Sequence, residues 1–364
     1  MSRPIQGLID LAALEHNLSV VRRHAPRSRV MAVIKADAYG HGLLRAAEAF
    51  NSADGFALLE LDAAISLREA GYRQTILLIE GFFSTAELAL FEQYHLSAVI
   101  HHSEQLAMLP AFKRRGVRGG LDVFLKLNTG MNRLGFTPDQ FPAALETLKA
   151  SSAVGQITLM THFACADESK ASGGAESVAG QMQRFNAATA GRNLSRSLAN
   201  SAAILRYPET HADWVRPGIM LYGATPFADK PAAELDLHPA MTVSSKIIAV
   251  QNLKSGDGVG YGRIFRADQA MRVGIVAGGY ADGYPRHALT GTPILVNGTR
   301  TRTLGRVSMD MLYVDLSGIE HAGVGSPVTL WGEGMPVDEV AQSAGTVGYE
   351  LLCALAPRVQ VVTR

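Results

Sequence analysis

Eight short runs, most of them apolar, recur between residues 30 and 215, and they constrain the fold more than any other feature of the chain. The first, Val30-Met31-Ala32-Val33-Ile34-Lys35, precedes an amphipathic stretch from Leu43 to Phe50. Gly55–Leu59, Thr75–Ile79, Ser97–Ile100, Asp122–Leu127, Gln156–Thr161, Arg196–Leu198 and Trp214–Val215 repeat the unit, each followed by helix or turn signals. Continuous rather than alternating hydrophobicity is what a strand covered on both faces requires. Eight such units predict an α/β fold, a (β/α)8 TIM-type barrel over residues 10–230. A doubly wound open sheet fits the same periodicity.

The pattern changes near Asp229-Lys230-Pro231, a turn signal read here as the linker between domains. Beyond it, Thr242–Asn252, Val273–Val276, Pro293–Asn297, Met311–Leu316 and Pro327–Trp331 are short runs of period-two character. Gly and Asp punctuate them, which predicts a mainly antiparallel β domain over residues 231–364. The opening Ile5–Ile9 is also strand-like and leads into a helix capped by Asp10, so residues 1–9 are expected to add a strand to that domain. A chain of 364 residues, 47% of them hydrophobic, is long enough for both cores.

Thirty-four Lys+Arg against thirty-three Asp+Glu leave a formal charge of +1, which argues against nucleic acid or an anionic membrane as the main partner. Two cysteines, Cys165 and Cys353, are too few for a disulfide scaffold and read as buried thiols in a reducing compartment. The opening Met1-Ser2-Arg3-Pro4-Ile5-Gln6 lacks a signal peptide's apolar core, and no apolar stretch approaches the ~20 residues of a membrane span. A soluble, cytoplasmic protein is expected.

The first run ends in Val33-Ile34-Lys35-Ala36-Asp37-Ala38-Tyr39-Gly40-His41-Gly42. Taken alone, a lysine closing a strand is a solvated charge. At the C-terminal mouth of a barrel, partly buried, it is an amine that loses its proton readily and forms a Schiff base with an aldehyde. Lys126 through Phe136 close the fifth run, Met160–Ala164 the sixth, Asn200-Ser201-Ala202 the seventh and Arg216–Gly223 the eighth. Barrels commonly build phosphate sites after strands seven and eight from backbone N–H groups and small hydroxyls. Ser201, otherwise a helix N-cap, and Gly218-Ile219, otherwise a turn, together suggest a cradle for a phosphorylated cofactor. Cys165 lies near His162, and His101 adjoins His102, but no partner motif completes a metal site, and the His101-His102 pair reads as a solvated loop.

These blocks, with Thr129–Phe136, Gly260-Tyr261-Gly262, Gly278–Tyr284, Gly305–Asp310 and Tyr349–Pro357, occur in one order along the chain. Together they resemble the bacterial alanine racemases from end to end, a family of pyridoxal 5′-phosphate enzymes with a barrel and a C-terminal β domain. The resemblance implies that Lys35 holds the cofactor as a Schiff base, and that Tyr39, Ser201, Gly218, Ile219 and Tyr349 bind its phosphate. Arg216 would face the pyridine nitrogen; being protonated, it leaves that nitrogen bare, weakens the ring as an electron sink and favours returning a proton to Cα.

Racemisation needs a base on each face of Cα. The resemblance supplies Lys35 and Tyr261, with His162 and Arg216 in a hydrogen-bonded chain to the tyrosine. A free tyrosine titrates near 10 and needs such help. Arg133 and the backbone N–H of Met309 would hold the substrate carboxylate. Tyr349 and Tyr280 would limit substrate size. Lys126 matches a position often carbamylated, a change that would turn its like-charged pairing with Arg133 into an attractive one. Asn128 stands where many relatives have Asp, and Ser308 where many have Cys. A homodimer is implied, with Tyr261 and Met309 reaching into the partner's barrel. A decarboxylase of the same architecture and a non-catalytic carrier of the cofactor are the competing readings. The motifs leave open cell-wall D-alanine synthesis against L-alanine catabolism.

Overall fold

The computed structural model describes residues 3–112, 120–168 and 176–364. Eight parallel strands close into a barrel: Arg29–Val33, Gly55–Leu58, Thr75–Leu78, Ser97–Ile100, Leu121–Lys126, Val154–Met160, Ser195–Ser197 and Trp214–Val215. Arg29 pairs with Trp214 and Val30 with Val215, and this closure of first strand on last excludes the open sheet. Val30, Met31, Ala32, Phe56, Ala57, Ile76 and Leu77 are fully buried, so the barrel is a packed core rather than a pore. The apolar runs overshoot the ladders: Ile34-Lys35, Leu59, Ile79 and Leu127 lie past the strand ends. Of these, Lys35, Leu59 and Ile79 line the mouth.

The second sheet has the order 271–277, 311–315, 299–304, 293–296, 327–331, 241–253, 6–9, 360–363, and strand 241–253 also pairs with 271–277, which brings the sheet round on itself. All its pairings are antiparallel except Gln6–Ile9 with Gln360–Thr363. The N-terminal strand therefore belongs to the β sheet, and its exit is a helix, Leu11–His24, whose first turn donates from the Ala13 N–H to the Asp10 carboxylate at 3.0 Å. Two features of this region escape a hydrophobicity reading. Strand Thr299–Leu304 is Thr-Arg-Thr-Arg-Thr-Leu, β-branched but polar at five of its six positions. Helices Val337–Ser343 and Gly348–Cys353 are short, the first signalled only by Val337, Val340 and Ala341 buried at helical spacing.

The cysteines correct the sequence reading: Cys165 is half-buried and Cys353 exposed, and both are free. Among the described residues, no helix is long and apolar enough to cross a membrane.

Candidate active site

The strand Arg29–Val33 carries the chain to Lys35 by apolar packing alone; past it the backbone does something a propensity reading cannot foresee. Ala36, Asp37, Ala38 and Tyr39 all adopt left-handed helical angles, with φ between 50 and 54°. Each costs about 1–2 kcal/mol for an L-residue, so four in a row need external support. Gly40 follows at φ 78°, and a Cβ there would meet the Leu352 carbonyl at 2.3 Å. Its bareness lets helix Gly348–Cys353 of the C-terminal region dock on the turn, bringing Tyr349 within 6.1 Å of the Tyr39 ring, centroid to centroid.

A cavity of about 1210 Å³ opens at this mouth. Lys35, Tyr39, Lys126, Arg133, His162, Ser201, Arg216, Gly218, Ile219 and Tyr349 all line it. Tyr261, Met309 and Tyr280 do not; they are 71%, 53% and 38% exposed on the β domain. The chain thus gathers every barrel residue expected at the site together with Tyr349 of the β domain, and leaves Tyr261, Met309 and Tyr280 outside. His101 corrects the sequence reading: it lines the cavity half-buried, with Nε2 3.0 Å from the Glu80 carbonyl oxygen. Cys353, Glu80 and Asp338 also line it; Cys353 falls in the Tyr349–Pro357 block, and no motif pointed to Glu80 or Asp338.

Ser201 is not the N-cap of its helix. Asn200 takes that role, accepting from the Ala203 N–H at 3.1 Å. Freed from capping, the Ser201 hydroxyl is 4% exposed and accepts from the Gly218 N–H at 2.8 Å. A Cβ on Gly218 would lie 2.6 Å from the Tyr39 hydroxyl, so glycine is what lets the turn after strand one meet the turn after strand eight. Hydroxyls of Ser201 and Tyr39 thereby converge on the Gly218 backbone, a small polar cradle suited to a phosphate.

Opposite the cradle lies concentrated positive charge. Arg216 is buried and donates to Ser197 Oγ and the Thr161 carbonyl, both at 2.7 Å, and to His162 Nδ1 at 3.3 Å. Burial lowers its pKa to about 10, which leaves it protonated near neutrality. His162 is held well below its usual value by burial and then by the charges of Arg216, Lys126 and Arg133. A neutral His162 that accepts at Nδ1 carries its proton on Nε2. Lys126, 6% exposed, is lowered to about 8 by burial and then by Arg216 and Arg133. Asn128 brings no charge; its Oδ1 accepts from the Gly130 and Asn132 N–H groups at 3.1 Å and shapes the loop before Arg133.

Among the described residues, one group of metal-competent side chains, His16, Asp236 and His238, comes together on the surface, unforeseen from the sequence. The imidazoles stack with 3.8 Å between centroids and 4° between planes, so their in-plane lone pairs cannot converge on one ion. Arg23 ion-pairs with the same carboxylate.

The model for the N-terminal domain of alanine racemase matches residues 9–226, and that for its C-terminal domain residues 240–363. The chain belongs to the alanine racemase family. It is 74% identical to the alanine racemase of Nitrosospira multiformis over 363 residues, the whole of both chains. It is 53% identical, again over the whole of both chains, to the catabolic alanine racemase of Klebsiella aerogenes. Among solved structures it resembles the biosynthetic alanine racemase of Pseudomonas aeruginosa, with TM-score 0.94 and 45% identity over 100% of this chain and 99% of that one. Membership of this family favours alanine racemisation over the decarboxylase reading.

Proposed function

We propose that this protein interconverts L- and D-alanine with pyridoxal 5′-phosphate, as a cytoplasmic homodimer whose two sites are each completed by the partner's β domain. The observation that carries the reading is the division of the site: a lysine, a phosphate-sized cradle and a cluster of cations in one barrel mouth, with Tyr261 and Met309 standing exposed elsewhere. The cradle fits the cofactor, since Ser201, Gly218 and Tyr39 crowd a point where a Cβ would not fit. Ile219 and Tyr349 flank it.

When bound, the cofactor withdraws electrons from Cα of an attached amino acid, which no protein side chain does. The remaining work falls to the chain. The Lys35 amine anchors the cofactor and moves the proton on one face of Cα. The partner's Tyr261 serves the other face. Arg216 donates to His162 Nδ1, which leaves the ring's N–H on Nε2, a nitrogen 3.5 Å from Asn200 Nδ2, to stabilise the tyrosine oxygen as it loses its proton. Arg133 and the Met309 N–H hold the substrate carboxylate. The depressed amine of Lys126 favours reaction of its neutral form with CO2, giving a carbamate that offsets Arg133. Two free thiols suit the reducing cytoplasm.

Chiral chromatography of L- and D-alanine incubated with purified protein tests the reading. Either enantiomer should run to an equal mixture when the cofactor is supplied. Unchanged enantiomers in the loaded protein would sink it.

A further inference from the structure

Four left-handed residues lie between Lys35 and the cradle, and the residues of the turn hold it only in part. Ala36 and Ala38 have no polar side chain, and Asp37 accepts from the Leu43 N–H at 2.7 Å, outside the turn. Beside the docked helix Gly348–Cys353, further support comes from His41 and Tyr222. His41 is fully buried, and its Nδ1 lies 3.0 Å from the Ala38 carbonyl oxygen and 2.9 Å from that of Tyr39. Burial lowers its pKa to about 4, so the ring is neutral and spends its one proton on those two carbonyls. Among the described residues its Nε2 has no hydrogen-bond partner, so no other hydrogen bond fixes the ring's orientation.

Tyr222 touches both ends of this arrangement. Its ring stacks on Tyr39 at 4.6 Å and tilts against His41 at 4.7 Å. Its hydroxyl donates to the Val33 carbonyl at 2.8 Å, two residues before Lys35. Tyr222 ends the short helical turn Ile219–Tyr222 that begins at the cradle. One aromatic cluster therefore ties the lysine's strand, the left-handed turn and the cradle to each other.

We infer that His41 and Tyr222 are positioning residues for the cofactor's phosphate: together they clamp the left-handed turn that delivers the Tyr39 hydroxyl to the Gly218 backbone. The inference rests on the pyridoxal phosphate reading of the cavity. It goes beyond that reading by assigning work to two residues that touch neither cofactor nor substrate. Affinity that depends on such preorganisation is lost selectively for the group the cradle holds.

The test compares binding of pyridoxal phosphate and of pyridoxal, which lacks the phosphate, by absorbance titration of the cofactor-free protein. His41→Leu should weaken pyridoxal phosphate about tenfold and pyridoxal by under about threefold, while His41→Asn, whose amide replaces the Nδ1 donor, should recover most of the loss. Tyr222→Phe keeps the ring and the packing, so it reports even where His41→Leu fails to fold. It should weaken pyridoxal phosphate about threefold through loss of the Val33 anchor. Equal loss of both ligands with no rescue by His41→Asn would mark the cluster as general core, and unchanged pyridoxal phosphate binding in His41→Leu or Tyr222→Phe would also overturn the inference. Wild-type protein that bound neither ligand would instead overturn the cofactor reading, and this inference with it.

Discussion

At the barrel mouth Ser201 and Arg216 are 4% exposed and hydrogen-bonded on several sides, whereas Tyr261 and Met309 on the β domain stand 71% and 53% exposed. The β-domain loops are not loose. Asp282 is buried and accepts from Arg3 at 3.0 Å and from Arg358 at 2.8 Å, and Arg358 also reaches Asp310 at 2.7 Å. The Tyr280 and Ala281 N–H groups donate to the carbonyls of Ser308 and Met309 at 3.1 and 3.0 Å. Ile264, Leu289 and Met311 are exposed on the same domain. Large apolar side chains held out by a well-bonded framework are built to meet another surface. The difference fits the proposed dimer, in which a concave half in one copy would meet a convex half carried by the other.

The sharpest way to break this comparison is to inactivate the halves separately. Lys35→Ala and Tyr261→Ala should each abolish racemisation, since each removes one base. Mixed under mild denaturant and refolded, the two dead proteins should form heterodimers in which one site lacks both bases and the other has both. Random exchange makes half the dimers mixed, each with one live site of two, so roughly a quarter of wild-type activity should return. No recovery, once mass spectrometry shows that heterodimers formed, would place both bases in one chain.

The same contrast explains what was legible in the sequence. Most barrel strands are covered on both faces and leave apolar runs that could be read, the polar Ser195–Ser197 being the exception. The cradle followed because its residues sit where those runs stop. Strand Thr299–Leu304 and helices Val337–Ser343 and Gly348–Cys353 left no such trace, because each buries only a few residues. The left-handed turn was invisible for another reason. Ala36, Asp37, Ala38 and Tyr39 are not left-handed by preference, and they are packed against the nearby ring of His41 and the ring of Tyr222, distant in sequence. The position of Tyr261 was legible only through resemblance, since an exposed tyrosine in a glycine-rich loop has no local signature of use.

A second prediction concerns the cost of the concave half. Lys126 is nearly buried beside Arg216 and Arg133, and its pKa falls from 10.5 to about 8. Between those values the unfolded chain binds more protons than the folded one, so stability rises with pH across about 8 to 10.5. Below pH 8 the full penalty is present. Lys126→Met should therefore stabilise the cofactor-free, uncarbamylated protein near pH 7, by ~3 kcal/mol at most, and the gain should shrink towards pH 10. Denaturant melts of both proteins at the two pH values check this. A gain that did not change with pH would come from packing rather than charge. Carbamylation would erase the gain, so bicarbonate-free and bicarbonate-loaded samples separate the two states.

The smallest effect tests where the halves share control of substrate size. Tyr349 lines the concave half from helix Gly348–Cys353, while Tyr280 stands on the convex half, outside this chain's cavity. A pocket that only crowds out an added hydroxyl discriminates weakly, by ~1–3 kcal/mol, so wild-type protein should act on serine slowly but measurably. Trimming Tyr349→Ala enlarges the cavity within one chain. It should raise the serine-to-alanine ratio of kcat/KM by up to about tenfold while weakening cofactor binding, because the same side chain flanks the cradle. Tyr280→Ala should change the ratio only if the partner's loop closes over the substrate. If Tyr349→Ala leaves the ratio unchanged while Tyr280→Ala moves it, selectivity belongs to the convex half alone, and the barrel mouth serves the cofactor and the reacting carbon without measuring the side chain.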